Sequence, residues 1–260
     1  MTRSLPWIDD HTPLPDARAA LSDPPGLVAA GLDLGPSRLN EAYRKGLFPW
    51  FSDGQPVLWW SPDPRMVLQT DQVHVSKSLR KRLRQIERKQ QTGDFSVMVT
   101  TDMAFDDVMR GCAMRGQKSH EADTWITTPM LDAYRQWHLL GYVHSVETWQ
   151  DEKLMGGLYG VCIGKMFFGE SMFSRATDAS KLALVYLAAF LDRNGVKLID
   201  CQMQTDHLAS MGAATMDRES FLQHVDSTVC LPAIAWQSGR LDQVGNCHPW
   251  RPDPASDRPS

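Results

Sequence analysis

The stretch HSVETWQDEKLMGGLYGVCIGKMFFGESMFS, residues 144–174, decides the fold. It holds three runs of strand composition, residues 144–150, 154–163 and 166–174, parted by the short polar connections Asp151-Glu152-Lys153 and Gly164-Lys165. Runs of this kind separated by two or three turn residues predict an antiparallel meander. On the upstream side, TTPMLDAYRQWHLLG (127–141) carries a threonine cap, proline in the first turn and glycine just past the end, which bound a helix at both ends. Downstream, a helix from about Ala179 to Arg193, opened by Thr177 or Asp178 and closed by Asn194-Gly195, feeds the strand VKLIDCQM (196–203). Strands and helices sharing one sheet give a mixed α/β (α+β) architecture.

Further out, Pro36 to Gly46 reads as a short helix stopped by glycine. LFPWFSDGQPVLWWSPDPRMVL (47–68) follows, dense in aromatics and turn residues, and the two make a small N-terminal domain within residues 1–75. The main domain spans 76–236. It opens with a helix from Val75, where Leu79, Leu83 and Ile86 form one narrow apolar stripe. A strand, FSVMVT, then precedes a helix near Asp102 to Met114 capped by Thr101 or Asp102, and a polar loop reaches Trp125. The start to about Pro25, rich in Pro, Asp and Ala, and the tail 237–260 have little to bury and are expected to be poorly ordered.

The 260 residues, 42% hydrophobic, suffice for one core or a core with a satellite. Nothing approaches the roughly 18 apolar residues of a membrane span, and the first twenty contain no apolar run, so neither export nor a membrane is expected. Five scattered cysteines without a CxxC pair fit a reducing cytoplasm and offer neither a disulfide framework nor a zinc site. No HExxH spacing occurs among the eight histidines, and no metal is expected. Nothing marks an oligomer, so a monomer is the default.

A net charge of −4 gives no general attraction to nucleic acid, so any such affinity has to be local. The helix after Val75 has Lys77, Arg80, Lys81, Arg82, Arg84, Arg88 and Lys89 against the single acid Glu87. It reads either as a solvated surface or as a face for an RNA phosphate backbone. In VKLIDCQM, alternation sets Asp200 and Gln202 side by side and turns Cys201 away. That pair could orient an amine nucleophile or serve as a structural cap. Glu170 falls in line with Met166, Phe168 and Met172, an acid on an apolar face that needs either a structural partner or a positive group such as a substrate amine. Trp59, Trp60 and Trp125 are lids on the core or platforms for a base. Ser171 lacks a GxSxG elbow, and SRATDASK (174–181) lacks the glycines of a coenzyme A pyrophosphate loop, which argues against a serine hydrolase and an N-acetyltransferase.

Taken together and in order, FPWF, WWSPDPR, FDDVMRGCA, TWIT, MLDAYRQWHLLGYVHSVETW, GGLYGV, FFGESMFSRATDASKLAL and LIDCQMQTDHLASMGA resemble the bacterial leucyl/phenylalanyl-tRNA-protein transferases from about Pro25 to Phe221. The resemblance implies an acetyltransferase-like (GNAT-like) domain behind the small N-terminal one, with no cofactor. It implies aminoacyl-tRNA carrying Leu or Phe, less well Met, as donor, and proteins beginning with Arg or Lys as acceptors, which are thereby marked for N-degron degradation. By motif it implies catalytic roles for Asp200 and Gln202 and substrate contacts from Glu170. Trp60 and Trp125 are assigned to the terminal adenosine, and Leu158 and Phe167 to the side-chain pocket. Lys77, Arg80, Lys81, Arg82 and Arg84 are the expected tRNA contacts. Alternation puts Phe167 on the opposite face from Glu170, so a bulge or an adjacent wall is needed if both meet substrate. The rival readings are a non-catalytic RNA-binding protein and a coenzyme A-dependent N-acetyltransferase.

Overall fold

A computed structural model describes residues 4–114 and 126–250. In chain order the elements are β1 (Trp7–Ile8), β2 (Leu27–Gly31), α1 (Pro36–Arg44), β3 (Phe48–Pro49), β4 (Val57–Trp60), β5 (Arg65–Gln69), α2 (Lys77–Gln91), β6 (Val97–Thr101) and α3 (Phe105–Ala113). There follow α4 (Thr128–Leu139), β7 (Val143–Gln150), β8 (Lys153–Ile163), β9 (Met166–Ser174), α5 (Ala179–Arg193), β10 (Leu198–Gln202), α6 (Asp206–Ser210), β11 (Ala214–Met216), α7 (Arg218–Thr228), β12 (Gly239–Leu241) and β13 (Cys247–His248). The expected meander is the centre of a nine-stranded sheet ordered β11-β5-β10-β9-β8-β7-β6-β12-β13, beside a four-stranded sheet β1-β2-β4-β3.

Local chemistry explains the centre. The β7–β8 turn is Asp151-Glu152 with φ 49° and 61°, the left-handed pair that a two-residue hairpin needs. Gly164 at φ 60° opens the turn into β9. From β9 the chain crosses over through α5 into β10, which lies parallel to β9. Ser76 caps α2 by accepting from the Leu79 amide, and the buried stripe Leu79, Leu83 and Ile86 fastens that helix to the sheet at about 1.5–3 kcal/mol per side chain. Apolar residues of α2 and α5 fill one face of the large sheet. The other face meets α1, α3, α4, α7 and the small sheet in a second cluster. Among the described residues no helix is long and apolar enough to cross a membrane.

β5, which falls within the small N-terminal domain expected over residues 1–75, is an inner strand of the large sheet, and the second cluster includes residues from Ile8 to Val229. Two expectations change, both at the ends of the chain. The proline-rich start is tied down, because Arg38 donates to the Asp9 and Thr12 carbonyls and Glu41 accepts from the Leu14 amide. The tail is likewise ordered through its first part, since β12 pairs with β6 and β13 with β12. Both ends combine polar contacts and strand pairing with a few buried anchors, Ile8, Leu14 and Ala17 at the start and Leu241 in the tail, which a low overall apolar content does not reveal.

Candidate active site

Strict alternation fails twice, and both failures face one cavity. In β9, Ser171 pairs with Tyr159 and Gly169 with Gly160, so Glu170 is the extra residue of a bulge. The slip brings Phe167 and Met172, five residues apart, onto one face, and leaves Phe168 and Phe173 on the other. Glu170 therefore keeps the side of Met166 and Phe168, where Tyr43 and Tyr134 meet it, and Met172 is the residue that leaves the expected line. In β10, Asp200 opposes Val67 and Gln202 opposes Met66, with Cys201 skipped and Gln202 at φ 60°. Asp200 and Gln202 consequently do not stand side by side, because the bulge turns Gln202 to the cavity and leaves Asp200 behind.

The cavity holds about 400 Å³. Leu158, Phe167, Leu184, Leu187 and Ile199 wall it, and Glu170, Gln202 and Thr205 supply polar groups. Leu158 and Phe167, which the resemblance assigns to the side-chain pocket, both line this cavity, and the β9 bulge lets Phe167 and Glu170 line the same space.

Glu170 accepts from the hydroxyl of Tyr43 at 2.6 Å, from that of Tyr134 at 3.2 Å and from Gln202 Nε2 at 3.0 Å. The two tyrosine oxygens are 2.5 Å apart. Burial pushes the Glu170 carboxyl up to about 7; the tyrosine hydrogen bonds and Arg65 oppose the rise, while Asp200 adds to it. Burial, reinforced by the charge of Glu170, also holds both phenols well above their ordinary range, so they remain donors. Each phenol has one proton to give. With Tyr134 donating to Tyr43 and Tyr43 to Glu170 Oε1, a proton on Oε2 directed at Tyr134 completes a ring in which each phenol gives once and receives once, Oε1 accepts and Oε2 donates. The group can therefore take up or release a proton near neutrality without leaving a buried atom unpaired.

Asp200 is fully buried and lies outside the cavity. Arg65 grips it with Nε to Oδ1 at 2.8 Å and Nη2 to Oδ2 at 2.6 Å, and the guanidinium sits between the rings of Phe48 and Phe221. Asp200 Oδ1 also accepts the backbone amide of Gln202 at 2.8 Å. Its hydrogen bonds go to Arg65 and to the backbone amide of Gln202, and its side chain does not line the cavity. Cys201 does line the cavity, but burial holds its thiol far above the ordinary range, which keeps it from acting as a thiolate.

Of the tryptophans, Trp60 lies off the cavity and donates from Nε1 to the Trp50 carbonyl at 2.8 Å. Trp50 is the aromatic at the mouth, 41% exposed and packed against Trp60 at 5.7 Å. Residue order gave no reason to prefer it; the signal was its place in FPWF, straight after a glycine-stopped helix. Trp125 lies outside the described residues. On α2, Lys77, Arg80, Lys81 and Arg84 are exposed and unpaired with any carboxylate among the described residues, whereas Arg82 is half-buried and donates to the Thr177 carbonyl. Among the described residues no group of three or more His, Cys, Asp or Glu is placed to hold a metal ion.

The sequence matches the family model described as leucyl/phenylalanyl-tRNA protein transferase over residues 67–226, and the model of that family's N-terminal domain over 33–63. Relatives bearing the name leucyl/phenylalanyl-tRNA–protein transferase include one from Bordetella petrii, 55% identical over 94% of this chain and 96% of its own. Others are from Bordetella bronchiseptica, 51% identical over 95% and 97%, and Burkholderia vietnamiensis, 50% identical over 90% and 91%. Among solved structures, the C-terminal domain of a putative lysylphosphatidylglycerol synthetase from Agrobacterium fabrum aligns at a TM-score of 0.35 and 15% identity, over 70% of this chain and 57% of its own. The matches give the class first: this chain is a transferase. It belongs to the leucyl/phenylalanyl-tRNA protein transferase family.

Proposed function

We propose that this protein transfers leucine or phenylalanine, and methionine less well, from aminoacyl-tRNA to the N-terminal Arg or Lys of acceptor proteins, marking them for degradation. The observation that carries the reading is the cavity itself: apolar walls with room for such a side chain end at a carboxyl and an amide suited to an amine. The acceptor's α-amine attacks the ester carbonyl carbon, a C–N bond forms, the C–O bond to ribose breaks, and one proton passes from nitrogen to the ribose oxygen. An aminoacyl ester is already activated, so positioning supplies much of the acceleration and no covalent enzyme intermediate is required.

Gln202 is the group that orients the amine: its Nε2 is committed to Glu170, which leaves Oε1 to accept an N–H. Glu170 receives the positive charge of the amine and can hold the proton in transit. Asp200 acts through Gln202. Trp50 offers the stacking face for the terminal adenosine, with Trp60 supporting it. The exposed cations Lys77, Arg80, Lys81 and Arg84 contact the tRNA backbone. We read the scaffold as acetyltransferase-like on the strength of the resemblance, and the protein as a cytoplasmic monomer, in keeping with five free cysteines. The test is transfer of radiolabelled leucine from leucyl-tRNA to a peptide beginning with arginine, beside the same peptide beginning with alanine. Label on the arginine peptide alone is the expected result; label on neither, with the RNA still bound, defeats the proposal.

A further inference from the structure

Trp236 lies beyond residue 226, where the match to the transferase family model ends, in the segment between α7 and β12. It is half-buried, does not line the cavity of the candidate site, and is one step removed from its apolar wall. Its ring stacks on Phe167 at 5.9 Å and 20°, on His144 at 4.0 Å and 8°, and meets Phe190 edge-on at 4.9 Å. Its indole N–H donates to Thr101 Oγ1 at 2.7 Å, and Thr101 in turn donates to the Ser145 carbonyl. The residue is therefore fixed in both plane and position.

Phe167 needs such a backing because of what lies on its other side. Its ring crosses β8 over Gly160, where a Cβ would come within 2.6 Å of two of its carbons, so the ring rests directly on backbone. Gly160 pairs with His144 in β7, and His144 is held by Asp102 at 2.7 Å. Backbone below and a tethered indole alongside leave Phe167 one orientation, and Phe167 is the large side chain of the cavity wall contributed by the bulged strand. The volume open to a bound side chain thus depends on a residue that the side chain never touches.

We infer that Trp236 is a specificity-determining residue: by fixing the ring of Phe167 it sets the room for the donor side chain and so the preference between leucine and phenylalanine. The inference rests on the transfer reaction proposed above. Where Trp236 is replaced by a smaller group, Phe167 can swing toward the vacated space and the pocket enlarges. The planar donor, which needs more room, then gains relative to the branched one, and discrimination of this size is typical when a pocket changes by about one methylene.

The experiment is a competition between leucyl-tRNA and phenylalanyl-tRNA for an arginine-initiated peptide, read as the ratio of the two kcat/KM values. Trp236→Leu should raise the phenylalanine-to-leucine ratio about threefold or more, while Trp236→Phe, which keeps a stacked ring, should leave it within about twofold of wild type. A merely structural role lowers both rates together and leaves the ratio unmoved, and that result overturns the inference. If Trp236→Leu does not fold, Thr101→Val, which releases the indole N–H, replaces it and should shift the ratio in the same direction; an unchanged ratio there overturns the inference as well. Wild-type protein that transfers neither amino acid is a distinct outcome, because it overturns the proposed function itself and the inference with it.

Discussion

The carboxyls of Glu170 and Asp200 lie on neighbouring parallel strands, yet they are held by opposite means. Asp200 is closed off from the cavity and neutralised by a forked arginine, while Glu170 faces the cavity with two phenols and an amide but no cation in hydrogen-bonding contact. Paired with a guanidinium, a buried acid becomes a fixed part of the frame. Ringed by neutral donors, it keeps a proton that it can exchange. Two bulges, at Glu170 and at Cys201, separate the environments, so the departure from regular strand geometry is what divides structural work from chemical work.

The largest expected effect comes from breaking the Asp200 side. Arg65→Met leaves a buried, unpaired carboxylate, and stability should fall by about 3–5 kcal/mol. Chemical denaturation measures it, and the double variant Arg65→Met with Asp200→Leu should recover much of the loss, because it removes the stranded charge as well. A double variant no more stable than the single one would mean that the loss came from packing around Phe48 and Phe221 rather than from the ion pair.

Next is the Glu170 side, where pH is the lever. The folded carboxyl sits at about 7, against an ordinary value of 4.5. Between those two values the unfolded chain has released this proton and the folded chain retains it, so this group's contribution to stability declines as pH rises and is lost above about 7. The total is about 3 kcal/mol on the scale of 1.36 kcal/mol per pH unit. Glu170→Gln removes the titration, so its stability relative to wild type should climb across that window while transfer falls by about 100-fold. Equal pH dependence of stability in both proteins would show that Glu170 is not the titrating group.

Smaller again is the effect of opening the ring. Tyr134→Phe deletes one hydroxyl that donates within the Glu170–Tyr43–Tyr134 cluster, at a cost of about 1–2 kcal/mol. Losing a donor to the charged form raises the carboxyl further, so the acidic limb of the pH profile of kcat/KM should move upward. The groups facing Glu170 are Tyr43 from α1, Tyr134 from α4, Tyr159 from β8, Gln202 and Asp200 from β10, and Arg65 from β5. The tyrosine change alters a direct contact without adding or removing a formal charge.

The same contrast explains what the sequence makes legible. The meander, its two turns, and the helices α2, α4 and α5 appear where local periodicity and turn residues put them, although Thr127 and Asp178, at the N-caps of α4 and α5, make no side-chain cap hydrogen bond. Glu170, Leu158 and Phe167 are singled out by motif and line the cavity, but the facing of Glu170 and of Gln202 depends on bulges whose partners lie far along the chain, Tyr43 and Arg65. No period of two encodes those partners. Arg65 itself sits in SPDPR, which reads as a turn, although its side chain is buried and its strand is an inner one. Trp236 escapes notice for a similar reason: it is the last residue of the expected main domain, and nothing local marks an indole whose importance lies in what it stacks upon.

The smallest expected effect separates the cavity from the basic face of α2. Lys81 and Arg84 are exposed, and none of their charge is spent on a carboxylate among the described residues. Replacing both by alanine should therefore change stability by less than about 0.5 kcal/mol per site, as surface substitutions do. If these groups touch an RNA backbone, each should reduce the slope of log K against log salt by about one, and KM for aminoacyl-tRNA should rise while kcat for bound donor holds. The donor preference, set inside the cavity, should stay as it is. A change in that preference would mean that the helix and the cavity wall are coupled through their shared core of Leu79, Leu83 and the α5 side chains, so that the division between binding face and chemical site is less complete than their geometry implies.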